Sequence, residues 1–163
     1  MKGNDWLRRF LYTLQYSFLD FSLPSYKKQD TPLLTRHGTA AFWSYYMTGT
    51  PNMLRIRGSQ SSEETIGGIP KVVLDALTDY RASPLMADNL KGLPKTLLIT
   101  CEFDVLKDDG LLYKSRLLDA AVKVTHFNYM TYHAFLTVQS SSLFVTEEFN
   151  QAVRDIVDYL KEL

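Results

Sequence analysis

The chain has 163 residues, enough for one domain or a piece of a larger one, and its 45% apolar and 13% aromatic content excludes compositional disorder. Its 18 basic and 18 acidic residues cancel, which removes the electrostatic basis for a nucleic-acid or anionic-membrane partner. The single Cys101 excludes an intrachain disulfide and a cysteine-rich zinc site, and no run of about 18 apolar residues marks a membrane span.

In chain order, FLYTLQY (residues 10–16) has the short aromatic and apolar run of a buried strand. FSLPSY follows as a loop forced by Pro24 and its serines. PLLTRHGTAAFWSYYM (32–47) predicts a helix opened by Thr35, with Phe42, Trp43, Tyr46 and Met47 as its apolar side. A glycine-rich stretch comes next, and PKVVLDALTDY (70–80) predicts a short helix with Pro70 in its first turn. ASPLMADNL is a loop, and TLLITCEF predicts a fully buried strand. DDGLLYKSRLLDAA predicts a helix whose positive N-terminal end suits Asp108 and Asp109, with Leu111, Leu112, Leu117, Leu118 and Ala121 at helical spacing. VKVTHFNY is a second strand. TEEFNQAVRDIVDYLKEL is the clearest helix, capped by Thr146 and striped by Phe149, Val153, Ile156, Val157 and Leu160.

Strand, acidic loop, helix, strand, loop, helix is the pattern of a parallel βαβ unit and predicts an α/β fold. In such sheets ligands and catalytic groups collect at the carboxyl ends of the strands. That rule selects Asp104, after the strand ending near Phe103, and His133, a few residues beyond Tyr129. Side by side, the two form the base half of a nucleophilic triad: the carboxylate orients the imidazole, and the imidazole takes the nucleophile's proton. An acidic cluster after a buried strand is otherwise a helix start. His126, inside the second strand, reads as a packed or edge histidine, and Cys101 as inert packing.

DVLKDDGLLYKSRL followed by VKVTHFNY and YHAF resembles the end of the hormone-sensitive-lipase-type α/β-hydrolases, in their arylacetamide deacetylase-like branch. LDFSLPSY, PLLT with FW after it, ASPLMADNLKGLPKTLLITCEFDVL and the terminal helix share the likeness. The resemblance implies a partial α/β-hydrolase fold: a cap-like segment over about 26–81 and a C-terminal βαβα segment over 82–163. It makes Asp104 the triad acid and His133 the triad base, with no cofactor or metal. It also implies a family preference for small apolar esters and amides, and placement at the endoplasmic reticulum, where relatives are anchored with the catalytic domain in the lumen.

The departures are equally specific. No Gly-x-Ser-x-Gly elbow occurs in the 163 residues, and His37-Gly38-Thr39 does not match the family's HGG oxyanion loop. Around the histidine, relatives show roughly E-D-G-F-H-G. Here the run is YMTYHAF, one residue shorter, without the acidic pair and with Ala134 in place of the second glycine. The expectation is the C-terminal portion of a serine carboxylesterase or deacetylase that begins after the nucleophile and does not turn over alone. Its alternative is a non-catalytic truncated product acting as an interaction or binding module. An open strand edge makes self-association an expected property in either case.

Overall fold

The computed structural model describes residues 23–28, 33–48, 65–66, 69–70, 75, 79–138 and 146–163. The strand expected over 10–16 lies outside them. The described elements run α1 (Pro24–Lys28), α2 (Arg36–Thr48), β1 (Thr65–Ile66), β2 (Ile69–Pro70), a 3-10 turn (Pro84–Met86), β3 (Thr96–Phe103), α3 (Lys107–Asp119), β4 (Val124–Tyr132), α4 (Phe135–Val138) and α5 (Glu147–Lys161). β1 and β2 form a small antiparallel pair, and β3 and β4 form a parallel pair connected by α3.

The parallel pair has two unlike faces because side chains alternate along each strand. One face carries Leu98 and Thr100 of β3 opposite His126 and Asn128 of β4. α3 lies on this face so closely that a Cβ on Gly110 would come within 2.9 Å of the Thr100 methyl. The other face carries Ile99, Cys101, Phe127 and Tyr129, which pack with Phe135 of α4 and Phe149 and Ala152 of α5. A second cluster joins Tyr113 and Leu117 of α3 to Leu85, Leu90 and Val122.

Several elements differ from expectation, each for a physical reason. Pro24 starts a short helix instead of a loop, since proline is tolerated at the first helical position, where its missing N–H costs nothing. Pro70 stands in a strand paired with Thr65, not in the first turn of a helix. α2 is opened by Thr35, whose Oγ1 accepts from Gly38 N at 3.0 Å, as expected. Its inward side is Thr39, Ala40 and Trp43, however, while Phe42 and Tyr46 are 63% exposed. β3 is only partly buried, since β4 is its one strand partner among the described residues. On α3 the buried seam is Asp109, Gly110, Tyr113 and Leu117, with Leu112 and Leu118 exposed. On α5, capped by Thr146, Ala152 and Tyr159 are buried, while Val153, Val157 and Leu160 of the expected stripe are exposed. Apolar periodicity found α2, α3 and α5, but neighbouring elements decided which arc was covered.

α3 ends in a Schellman motif. Val122 N donates to Leu117 O and Ala121 N to Leu118 O, both at 2.9 Å, with Ala121 at φ 58° where glycine is usual. Val122 and Leu117 share the apolar contact that accompanies this stop. No helix among the described residues is long and apolar enough to cross a membrane.

Candidate functional site at the carboxyl ends of the parallel strands

Asp104 is the first residue after β3 and His133 the first after β4. Their meeting depends on one irregularity in the strand pairing. From Thr96↔Val124 to Cys101↔Tyr129 the register is constant, but the next pair is Phe103↔Tyr132, so β4 contains one extra residue. This bulge has two consequences. It carries β4 to Tyr132, beyond the end expected near Tyr129, and it puts position 133 level with position 104. In the unbroken register, Tyr132 would face Asp104 and the imidazole would belong to the opposite face, because each step along a strand reverses the side chain.

His133 Nδ1 lies 2.8 Å from Asp104 Oδ2. The imidazole donates from Nδ1–H to the carboxylate, which leaves the lone pair on Nε2. Nε2 has no hydrogen-bond partner among the described residues. Both side chains are largely buried, 19% exposed for His133 and 11% for Asp104, so the pair is shielded from competing water. The other carboxylate oxygen, Oδ1, accepts from Leu106 N–H at 2.9 Å, and Asp104 O accepts from Lys107 N–H at 3.1 Å. With both oxygens engaged, Asp104 cannot rotate without losing a bond.

The imidazole is held from the following side. Ala134 adopts φ 62°, the left-handed conformation that glycine reaches without penalty and alanine reaches at about 1–2 kcal/mol. The resemblance places glycine here, so the backbone requirement persists although the residue differs. Thr137 N and Oγ1 both donate to Ala134 O, at 2.9 and 2.8 Å, and Phe135 is buried against Tyr129 and Ala152. These contacts hold the turn in its strained conformation.

The turn that carries Asp104 is anchored by residues the sequence did not single out. Val105 is fully buried with Tyr26 and Leu34. Ser25 Oγ donates to Val105 O and Ser25 N to Asp108 Oδ2, both at 2.7 Å, while Tyr26 OH donates to Asp109 Oδ2 at 2.8 Å. Asp108 and Asp109 are therefore tethers for α1 as well as acids at a helix start. Nothing local advertises such partners, because α1 and α3 are some 80 residues apart in sequence.

The remaining candidates fall elsewhere. His126 lies in mid-strand, bonded to Thr100 and Lys114. Burial of the ring, and then the cations Lys114 and Lys107, hold its pKa below the ordinary histidine value. Cys101 is buried, and burial, with a smaller contribution from the Asp104 carboxylate, pushes its thiol up to about 12. It is thus protonated and unreactive at neutral pH. A cavity of about 50 Å³ reaches Asp104 and His133 between Cys101, Leu106 and Gly110. That is space for a few waters and not for an ester.

A family model described as an α/β-hydrolase fold matches residues 69–137. Neutral cholesterol ester hydrolase 1 of Rattus norvegicus is 35% identical, over 67% of this chain and 36% of that protein. Arylacetamide deacetylase of Bos taurus is 33% identical, over 66% of this chain and 35% of that protein. Among solved structures, an esterase from the fungus Rhizomucor miehei superposes with a TM-score of 0.51 at 32% identity, over 58% of this chain and 29% of that one. The chain thus spans about a third of the length of the curated relatives it matches.

Proposed function

Because the chain belongs to the α/β-hydrolase family, in the group that includes arylacetamide deacetylases and neutral cholesterol ester hydrolases, we propose that it is the acid–base portion of a serine ester or amide hydrolase, with Asp104 as triad acid and His133 as triad base. The observation that carries this is the 2.8 Å contact from His133 Nδ1 to Asp104 Oδ2 at the carboxyl ends of adjacent parallel strands. In the assembled site a serine hydroxyl attacks the ester or amide carbonyl as Nε2 of His133 takes its proton. Asp104 fixes the tautomer and stabilises the imidazolium. The same Nε2 then returns the proton to the leaving group.

The nucleophile and the oxyanion donors come from sequence that these 163 residues do not contain, since no Gly-x-Ser-x-Gly or HGG segment occurs in them. About 26–81 is the cap-like segment and 82–163 the C-terminal βαβα segment that carries both Asp104 and His133. The substrate class is a small apolar ester or amide. Residence at the endoplasmic reticulum and a part in lipid metabolism complete the proposal.

The test has two arms. The purified chain assayed with a short-chain aryl ester should show only background hydrolysis, because loss of the nucleophile alone costs about six orders of magnitude. Combined with the nucleophile-bearing portion of a relative, it should support turnover that His133→Ala removes. Turnover by the chain alone that His133→Ala abolishes overturns the assignment of a half-site. Reconstituted turnover indifferent to His133→Ala overturns the assignment of the base.

A further inference from the structure

On the face of the sheet covered by α3, six polar side chains make a single hydrogen-bonded line. Lys114 Nζ donates to His126 Nδ1 at 3.1 Å, so that nitrogen must be the acceptor. His126 Nε2–H then donates to Thr100 Oγ1 at 2.9 Å, and Thr100 O–H donates to Asn128 Oδ1 at 2.9 Å. Asn128 Nδ2 donates to Glu102 Oε2 at 2.8 Å, where Lys107 Nζ also donates at 2.6 Å. Every donor and acceptor is consistent with one tautomer, the neutral ring with hydrogen on Nε2.

We propose that the Lys114–His126 contact is a proton-sensitive latch between α3 and β4, closed while His126 is neutral and opened when it is protonated. A proton can be added only at Nδ1, the atom Lys114 bonds. Its arrival turns an ammonium–acceptor hydrogen bond into a contact between two cations with no acceptor between them. Among the described residues the charged groups facing the ring are Lys114 and Lys107 from α3, and from β3 Glu102, which reaches it through Asn128 and Thr100 and also accepts from Lys107. Neither α3 nor β3 presents a carboxylate in direct contact to stabilise the imidazolium. The ring's depressed pKa has the same causes, burial first and then the two lysines.

The position of the latch gives it consequence. α3 is the helix into which the Asp104 turn leads, and Thr100 is both a member of the line and the residue against which Gly110 packs. Acidification therefore loosens the helix behind the Asp104 turn. This inference does not depend on the proposed catalytic role.

The experiment uses the full chain labelled with nitrogen-15 and follows the histidine ring nitrogens by NMR from pH 8 to pH 5. His126 is expected as the Nε2–H tautomer at high pH, with a titration midpoint below the ordinary 6.5 or so. Lys114→Gln should move that midpoint upward. For a second readout, His126→Gln should lose the part of the pH dependence of unfolding that wild type shows between pH 7.5 and 5.5. An Nδ1–H tautomer, a midpoint at or above the ordinary value, or a midpoint unmoved in Lys114→Gln overturns the latch. So does a His126→Gln chain that retains the wild-type pH dependence.

Discussion

β4 contains His126 and is followed directly by His133, seven positions on, and the surroundings of the two rings are opposite. His133 stands at the rim, one nitrogen on a buried carboxylate and the other without a partner among the described residues. His126 stands in mid-strand with both nitrogens occupied, one by a lysine and one by a threonine. The first arrangement fixes one ring nitrogen on a carboxylate and leaves the other uncommitted among the described residues. The second penalises the imidazolium and leaves no atom for chemistry. Residue type is shared, so the difference comes entirely from what the sheet and α3 place around each ring.

The comparison is broken most sharply by removing each histidine's partner. In a reconstituted hydrolase, Asp104→Asn should lower kcat about 10⁴-fold by favouring the wrong tautomer of His133. Thr100→Val, which cuts the bond to His126, should change kcat by less than tenfold. Equal losses in the two variants would mean that the rim pair has no special role.

pH tests the surroundings of His126 next. The folded chain holds the pKa of His126 below the unfolded value, so below about pH 6.5 the unfolded state takes up a proton that the folded state refuses. Stability is unaffected by this group well above pH 6.5. It falls as pH drops from there toward the lowered folded pKa, then levels off once both states are protonated. Denaturant midpoints measured from pH 8 to pH 5 should decline over that interval in wild type and decline less in His126→Gln.

The smallest effect concerns the strained alanines. Ala134→Gly and Ala121→Gly should each raise stability by up to about 1 kcal/mol, relief of left-handed strain outweighing the added entropy of the unfolded chain. Ala121 ends α3 and Ala134 follows His133, so only Ala134→Gly should disturb the His133 ring signals. A loss of stability in both would show that neither alanine is strained.

How much of this was legible beforehand varies with range. The three longer helices announced themselves through local terms, as with Thr35 capping α2 and Thr146 capping α5, whereas the short α1 and α4 did not. The buried arcs of α2, α3 and α5 did not, because Phe42, Leu112 and Val157 are as apolar as the residues that are covered. Asp104 and His133 were selected by a rule about strand ends, with the family resemblance supplying their roles. The anchoring of the Asp104 turn by Ser25 and Tyr26 left no sign, since the partners are far apart along the chain.

By itself, then, the sequence determined a βαβ order and that Asp104 and His133 stand at its strand ends, because periodicity, caps and strand ends are local properties of the chain. Only the tertiary structure decided that those positions meet. One additional residue in β4 shifts the register, and a left-handed Ala134 turns the chain immediately after the ring. Both depend on how two strands lie against each other, a relation that no short window of residues contains.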